Sequence, residues 1–404
     1  MRILLPTHAF TDSPASGLHT VVWNTARELA RRGHEVHVIA TYVSLHHETK
    51  ETLRAKGIAL HAIAHFNMHN LSKPLALRCF LTALRLRMAM RFDWIYVLDS
   101  ARTPFHRFKL GARLAVRVLS PDTPDVLKLL TSGDWAYDRE RKDEEEGWED
   151  RGKPLWYRIF SLLADLWFVL FPLKHHTDRV DLVFCQGKDT FDCWSRKLSA
   201  KTAELLNGVE EELFKVAQPP PRSTRRFVFL FIGRIARRKG LFHLLAAFGE
   251  LRKSREDIEL WIVGRGSKRL TEELEKNVAR DREHIFSFGE IPHERIAGFM
   301  EHCCAFVDPM IYQGFSTSVI EAMYCAKPVI ASCFGGTKDA VTNGKEGFLV
   351  DPRDEGALKE RMERLCSDPG GAEAMGRAGA SRVRAHFLWR HVGDILESSF
   401  RLSR

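Results

Sequence analysis

Short β-branched apolar runs alternate with amphipathic stretches of helical period along most of the chain. Residues 2–7, 35–40, 58–63, 94–98, 113–119 and 182–186 read as strands, with helices at 18–32, 73–91 and 189–197 between them. Gly33 closes the first of these helices. After a break the alternation resumes. Residues 227–232 (FVFLFI), 260–263, 285–288, 305–307 and 329–331 are the strands, and 241–253, 267–280, 319–326 and 355–365 the helices. A run apolar at consecutive positions, such as FVFLFI, is expected of a strand covered on both faces. The pattern predicts an α/β protein with two doubly wound sheets, whose ligands bind at the carboxyl ends of the strands.

The break is AQPPPRSTR at 217–225, three prolines among polar residues without periodicity, which reads as an interdomain linker. It divides the chain into residues 1–216 and 226–385, followed by a terminal segment, 386–404. A length of 404 residues suits two such domains better than one core. Two sheets whose carboxyl ends face each other would leave a cleft between them.

Composition narrows the class. Hydrophobic residues make 45% of the chain and charged residues 28%, values of a soluble globular protein. The net charge of +9 suits either anionic partners, which would be nucleotide phosphates, an anionic membrane surface or nucleic acid, or a merely soluble basic surface. No zinc-finger spacing, aromatic RNA-binding motif or basic tail accompanies it, so no nucleic-acid partner is expected. Eight cysteines without a Cys-x-x-Cys pair sit mostly in apolar elements, as reduced core thiols do, which favours the cytoplasm. MRILLPTH is a first strand rather than a signal peptide.

Two segments depart from a plain α/β pattern. Helix 73–91 mixes Lys73, Arg78, Arg85, Arg87 and Arg91 with Leu, Phe and Met. It suits either an anionic membrane surface or a packing helix with snorkelling arginines. The aromatic stretch 155–173 is interrupted by Arg158, Asp165 and Pro172, too broken to span a bilayer, and reads as a core helix or an interfacial element. The charge run 139–153 is a solvated insertion.

Three loops carry candidate chemistry. Residues 9–17 end on Gly17 ahead of a helix and lack G-x-G-x-x-G, so a dinucleotide fingerprint is absent. FIGRIARRKG at 231–240 places Gly233, Arg234 and Lys239 before a helix N-terminus, where cations and free N–H groups favour an anion. DPMIYQGFSTSVIEAMYCAKPVIASC at 308–333 is a loop, a helix and a buried strand. Ser316 or Ser318 is positioned to cap the helix, Lys327-Pro328 stops it, and Glu321 is the one carboxylate inside it.

This last stretch resembles the signature of retaining GT-B glycosyltransferases of family four (glycosyl transferases group 1), in which Glu-x7-Glu precedes Lys-Pro-Val-Ile. Here the pattern is Gln313-x7-Glu321. The resemblance extends to Asn207-Gly208-Val209 with Phe214, to the Gly-Arg…Lys-Gly loop, to Gly335-Gly336 and to a terminal helix at 387–400 that crosses back to the first domain. It implies a GT-B fold of two Rossmann-like domains, acceptor on residues 1–216 and nucleotide sugar on 226–385. It further implies that Arg234 and Lys239 hold the donor diphosphate and that Glu321 binds the ribose. Backbone groups around Ile291 would hold the base. Gly17, Gly233, Gly264, Gln313, Gly314, Phe315, Ser316 and Thr317 complete the donor set. The family's histidine near the end of strand 113–119 has no counterpart, and Asp122, then Ser120, is the nearest polar candidate; a turn at Ser-Pro-Asp is an equal reading.

The implied reaction is retaining transfer of a sugar from a nucleotide diphosphate donor to an acceptor hydroxyl. It needs no cofactor and no metal, since no Asp-x-Asp motif is suitably placed. Synthesis of a glycolipid or surface polysaccharide, with peripheral contact at the inner membrane face, is the expected setting. The competing expectations are a nucleotide-sugar-binding protein with little or no transfer activity, suggested by glutamine at 313, and a peripheral scaffold acting through 73–91 and 155–173.

Overall fold

The computed structural model describes residues 1–12, 17–63, 72–98, 111–118, 180–196, 200–215, 220–222, 224–311 and 314–403. Asp122, Ser120, Gln313 and the segments 139–153 and 155–173 lie outside these residues. The chain divides into two compact units: Met1–Cys185 with Phe191–Leu205 and Gly393–Arg404, and Gln186–Thr190 with Leu206–Val392.

In the first unit the elements run β1 (Arg2–Thr11), α1 (Gly17–Arg31), β2 (Glu35–Ser44), α2 (Lys50–Ala55), β3 (Ile58–Ala62), α3 (Ser72–Ala89), β4 (Trp94–Val97), β5 (Arg113–Val118), β6 (Leu182–Cys185), α4 (Lys188–Ser195) and β7 (Lys201–Glu204). The sheet order is β3-β2-β1-β4-β5-β6-β7, with every neighbouring pair parallel.

Strand β1 runs past the expected end at residue 7. Ala9, Phe10 and Thr11 pair with Tyr42, Val43 and Ser44, so residues 9–11, expected as loop, are sheet. The partner strand supplies the ladder that local composition does not announce. Asp12 then accepts backbone N–H bonds from His46, His47 and Glu48 at 2.6–2.9 Å, tying the ends of β1 and β2 together. Strand β7 reads KTAE and is half-exposed, so it offers no apolar run to detect.

The second unit contains β8 (Phe227–Ile232), α5 (Leu241–Arg252), β9 (Ile258–Val263), α6 (Lys268–Arg280), β10 (Ile285–Ser287), α7 (Ile296–His302), β11 (Ala305–Asp308), α8 (Thr317–Tyr324), β12 (Val329–Ser332), α9 (Thr337–Ala340), β13 (Gly347–Val350), α10 (Glu355–Ser367) and α11 (Pro369–His386). The order β10-β9-β8-β11-β12-β13 is all parallel and reverses direction between β8 and β11. Alternate residues of β8 feed two cores: Phe229 and Phe231 join Leu244 and Phe248, while Val228, Leu230 and Ile232 join Phe306, Val319 and Ile320. That double burial is why FVFLFI is apolar throughout.

The last helix, α12 (Trp389–Leu402), begins in the second unit and ends in the first. There Phe400 is fully buried among Trp94, Tyr96 and Phe184. No helix among the described residues is long and apolar enough to cross a membrane.

Candidate active site

A doubly wound sheet binds ligands where its strand order reverses, outside the carboxyl ends. In the second unit those ends belong to β8 and β11, and both candidate loops leave from them. The β8 loop carries Arg234 and Lys239; the β11 loop leads into α8 and Glu321.

The β8 loop is built by close backbone approach. Gly233 N–H donates to Val263 O at 3.0 Å, and Gly264 N–H donates to Gly289 O at 2.8 Å. Gly264 has φ +148°, and a Cβ there would lie 1.8 Å from the carbonyl oxygen of Gly233. Glycine is therefore obligatory, and the ends of β8, β9 and β10 are laced side by side. Ile291, two residues on from Gly289, is half-buried against the core.

Arg237–Lys239 forms a short 3-10 turn, capped by Gly240 in the left-handed region at φ +69°. A Cβ on Gly240 would fall 1.8 Å from Pro309 O, so the β11 loop passes directly against the N-terminus of α5. Ile311 N–H donates to Arg238 O at 2.8 Å and joins the two loops.

The surroundings of three cations in and beside this turn tell them apart. Arg237 donates to both carboxylate oxygens of Glu273 at 2.7–2.8 Å and stacks over Phe242, so its charge is committed. Arg234 is exposed and makes no carboxylate pair among the described residues. Lys239 is half-buried, and its Nζ donates to the thioether of Met310 at 3.4 Å, a weak acceptor. The two cations expected to meet a diphosphate are thus left without an anionic partner among the described residues.

Helix α8 starts two residues before the expected 319. Ser316 is its N-cap residue, yet its side chain makes no capping hydrogen bond. The Ser316 N–H donates instead to Thr337 Oγ1 at 2.9 Å, and the Thr337 hydroxyl donates to Gly314 O at 3.5 Å. The N–H of Ser316, one of the residues the resemblance places in the donor set, is thus hydrogen-bonded within the unit. Thr317 accepts a hydrogen bond from Asn207 Nδ2 at 3.1 Å. Phe315 is half-buried against the same core as Ile291.

Glu321 lies one turn beyond Thr317 on the same face of α8 and is 5% exposed. Its Oε1 is 3.5 Å from His293 Nε2. His293, Thr337 and Asn207 all touch this helix or its loop. Asn207 belongs to a recognisable turn, whereas nothing in the sequence pattern marks His293 or Thr337. Asp308, at the end of β11, is buried, and neither carboxylate oxygen is hydrogen-bonded among the described residues. Gly17 is the first residue of α1 in the first unit. Among the described residues no group of three or more His, Cys, Asp or Glu could hold a metal ion. The seven described cysteines are all free thiols, and burial pushes those of Cys185 and Cys325 up to about 12.

Two family models match the chain. Glycosyltransferase Family 4 matches residues 15–124, and Glycosyl transferases group 1 matches residues 214–382, together well over half the sequence. The chain belongs to glycosyltransferase family four. Among its family four relatives is the alpha-maltose-1-phosphate synthase of Mycolicibacterium smegmatis, 30% identical over 211 residues. That match takes in 47% of this chain and 54% of the relative, so the chain spans about half the length of the curated relative it matches. Over the full length, the sucrose-phosphate synthase of Thermosynechococcus elongatus superposes with a TM-score of 0.72 at 21% identity, covering 99% of this chain and 98% of that one. Anabaena HepE in complex with UDP superposes with a TM-score of 0.69 at 16% identity, covering all of both chains. These likenesses give the family four chain the GT-B fold.

Proposed function

We propose that this chain transfers a sugar from a nucleoside-diphosphate sugar to an acceptor hydroxyl, with retention at the anomeric carbon and without a metal ion. The observation that carries the reading is the pair of uncommitted cations, Arg234 and Lys239, beside the N-terminus of α5 at the strand-order reversal. As the bond from the anomeric carbon to the diphosphate breaks, negative charge grows on the departing phosphate oxygen. Two cations and free backbone N–H groups stabilise that charge where a divalent ion would otherwise be needed. The acceptor hydroxyl forms the new bond to the same carbon on the face the diphosphate leaves, and its proton passes to the departing phosphate oxygen. Glu321, an acceptor-only carboxylate, receives hydrogen bonds from the ribose, and the backbone around Ile291 holds the base. HepE, solved with UDP and with UDP-glucose, supports the donor class.

The test is nucleotide release from a panel of uridine, guanosine and adenosine diphosphate sugars in the presence of EDTA. Release from one donor, lost in R234A and K239A, is expected. Silence across the panel with a range of acceptors present defeats the reading.

Glutamine at 313 favours a second reading, a nucleotide-sugar-binding protein that transfers little. A missing charge-assisted hydrogen bond costs about 1–3 kcal/mol. Under this reading a nucleoside diphosphate raises the melting temperature without turnover, and Gln313→Glu creates activity.

For the acceptor we propose a lipid-linked or surface glycan met at an anionic membrane in the cytoplasm. Leu81, Leu84 and Met88 are exposed on α3, Met88 at 79%, with Arg85 and Arg91 exposed beside them. Apolar side chains flanked by cations suit the headgroup boundary. Sedimentation with phosphatidylglycerol vesicles, abolished by L84E/M88E, tests this contact.

A further inference from the structure

Behind the carboxylate assigned above to the ribose stands an imidazole. His293 follows Pro292 and opens the short 3-10 helix His293–Arg295. Its side chain is 13% exposed and that of Glu321 7%, with Nε2 3.5 Å from Oε1. The other ring nitrogen, Nδ1, is buried with no hydrogen-bond partner. A buried, half-satisfied imidazole costs stability unless its one contact is strong.

Burial alone would drive the proton off His293. The hydrogen bond and charge of Glu321 on α8, with the charges of Glu210 and of neighbouring Glu294, outweigh it and hold the ring above its ordinary value of 6.5. Three carboxylates therefore act on this ring from its own turn, from α8 and from the segment after Val209. Among the described residues, the carboxylate that contacts the ring is that of Glu321.

We propose that His293 is a positioning residue for ribose recognition: its Nε2–H holds Oε1 of Glu321, fixing the plane of the carboxylate so that Oε2 faces the nucleotide. A glutamate side chain has three rotatable bonds, and a carboxylate free to turn loses much of its discrimination between a hydroxyl and a hydrogen. One oxygen pinned and one left open converts Glu321 from a diffuse negative charge into a directed acceptor. The inference rests on the donor reading above. It adds that ribose selectivity, and not nucleotide affinity in general, depends on His293. Selectivity should also decline as pH rises through the folded-state titration of His293, because the neutral ring keeps its Nε2–H toward Glu321 but loses the charge that strengthens the bond.

The experiment is calorimetric titration of the full chain with UDP, GDP and ADP, each beside its 2′-deoxy and 3′-deoxy counterpart, at two pH values either side of neutrality. Wild type is expected to prefer one ribonucleotide over its deoxy forms. In H293F that preference should collapse by on the order of tenfold, the size of one charge-assisted hydrogen bond, with deoxynucleotide affinity little changed. H293Q, which retains an N–H donor, should recover part of it and lose the pH dependence. Undiminished ribose preference in H293F overturns the proposal, as does wild-type binding without ribose preference. If wild type binds none of these nucleotides, the donor reading itself fails. The pairing is then judged by imidazole NMR, where the His293 titration must fall in E321Q; an unmoved midpoint overturns it.

Discussion

The side-chain amide of Asn207 donates to the hydroxyl of Thr317 at 3.1 Å, joining the Asn-Gly-Val turn to the first turn of α8. Asn207 is buried, and Thr317 sits one turn before Glu321 on the same helix. The turn that precedes the second sheet thus helps set the orientation of the helix that carries Glu321. In N207A the contact is lost and Thr317 is left to rearrange. The expected cost is about 1 kcal/mol, hence a several-fold weaker donor nucleotide. Nucleotide titration checks it, with T317V as the companion variant that should give a similar loss.

The cations of the β8 loop should not behave alike. Arg234→Ala and Lys239→Ala should each lower kcat on the order of a hundredfold, since each removes charge stabilisation from the departing diphosphate. Arg237→Ala should leave kcat near wild type, because Glu273 already neutralises that guanidinium. Its loss should appear instead as a small fall in melting temperature. Steady-state kinetics on the three variants, with the melting curves alongside, separates the two behaviours.

Two glycines, one at the N-cap and one inside the same helix, should respond in opposite directions. At Gly240 a methyl group meets the carbonyl of Pro309 at 1.8 Å in a left-handed backbone, so G240A should destabilise the unit and displace the β11 loop. At Gly249, inside α5 and exposed, a Cβ meets nothing within 4 Å. G249A should stabilise by about 0.5–1 kcal/mol through helix propensity. Chemical denaturation of both variants provides the comparison.

Phe400 contacts Trp94, Tyr96 and Phe184, with ring centroids 4.8–5.8 Å apart. Nearby, Arg32, just past the end of α1, pairs with Asp394 and Glu397 on α12. Phe400→Ala removes a fully buried ring and should cost about 3–5 kcal/mol, whereas Asp394→Ala at the exposed rim should cost under about 1 kcal/mol. Urea unfolding followed by tryptophan fluorescence reads both.

The Asp12 carboxyl carries a pH dependence of known sign. Burial would raise it, but the backbone N–H groups of His46, His47 and Glu48 outweigh burial and hold it below its ordinary 3.8. A depressed folded-state value contributes stability above the unfolded value, lost as pH falls through the folded one. The stability difference between wild type and D12N should therefore be full at neutral pH and shrink only below about pH 4. A difference that stays constant down to pH 2 would show that the charge of Asp12 plays no part.

The helix Pro369–His386 shows why part of the fold escapes a pattern reading. It holds four glycines, two of them mid-helix, and glycine is a poor helix former. The structure supplies the reason for the mid-helix pair. A Cβ on Gly376 would lie 1.9 Å from Ala326 O, and one on Gly379 would lie 3.3 Å from Met323. These residues let α11 press against α8 and the turn after it, and packing repays the lost propensity. The signal that hides the helix is the feature that lets it pack.

The sequence by itself determined the alternation of strands and helices, the double-sided burial of FVFLFI, the loop that carries Arg234 and Lys239, and the helix that carries Glu321. All of these rest on local pattern, hydrophobic period and turn chemistry, which a linear string records. Tertiary structure alone decided which cation is neutralised by Glu273, that the Ser316 amide is taken by Thr337, that Asn207 reaches Thr317 across 110 positions, and that His293 stands against Glu321. Each is a contact between residues distant in sequence. Its existence depends on strand order and loop approach rather than on the character of either residue.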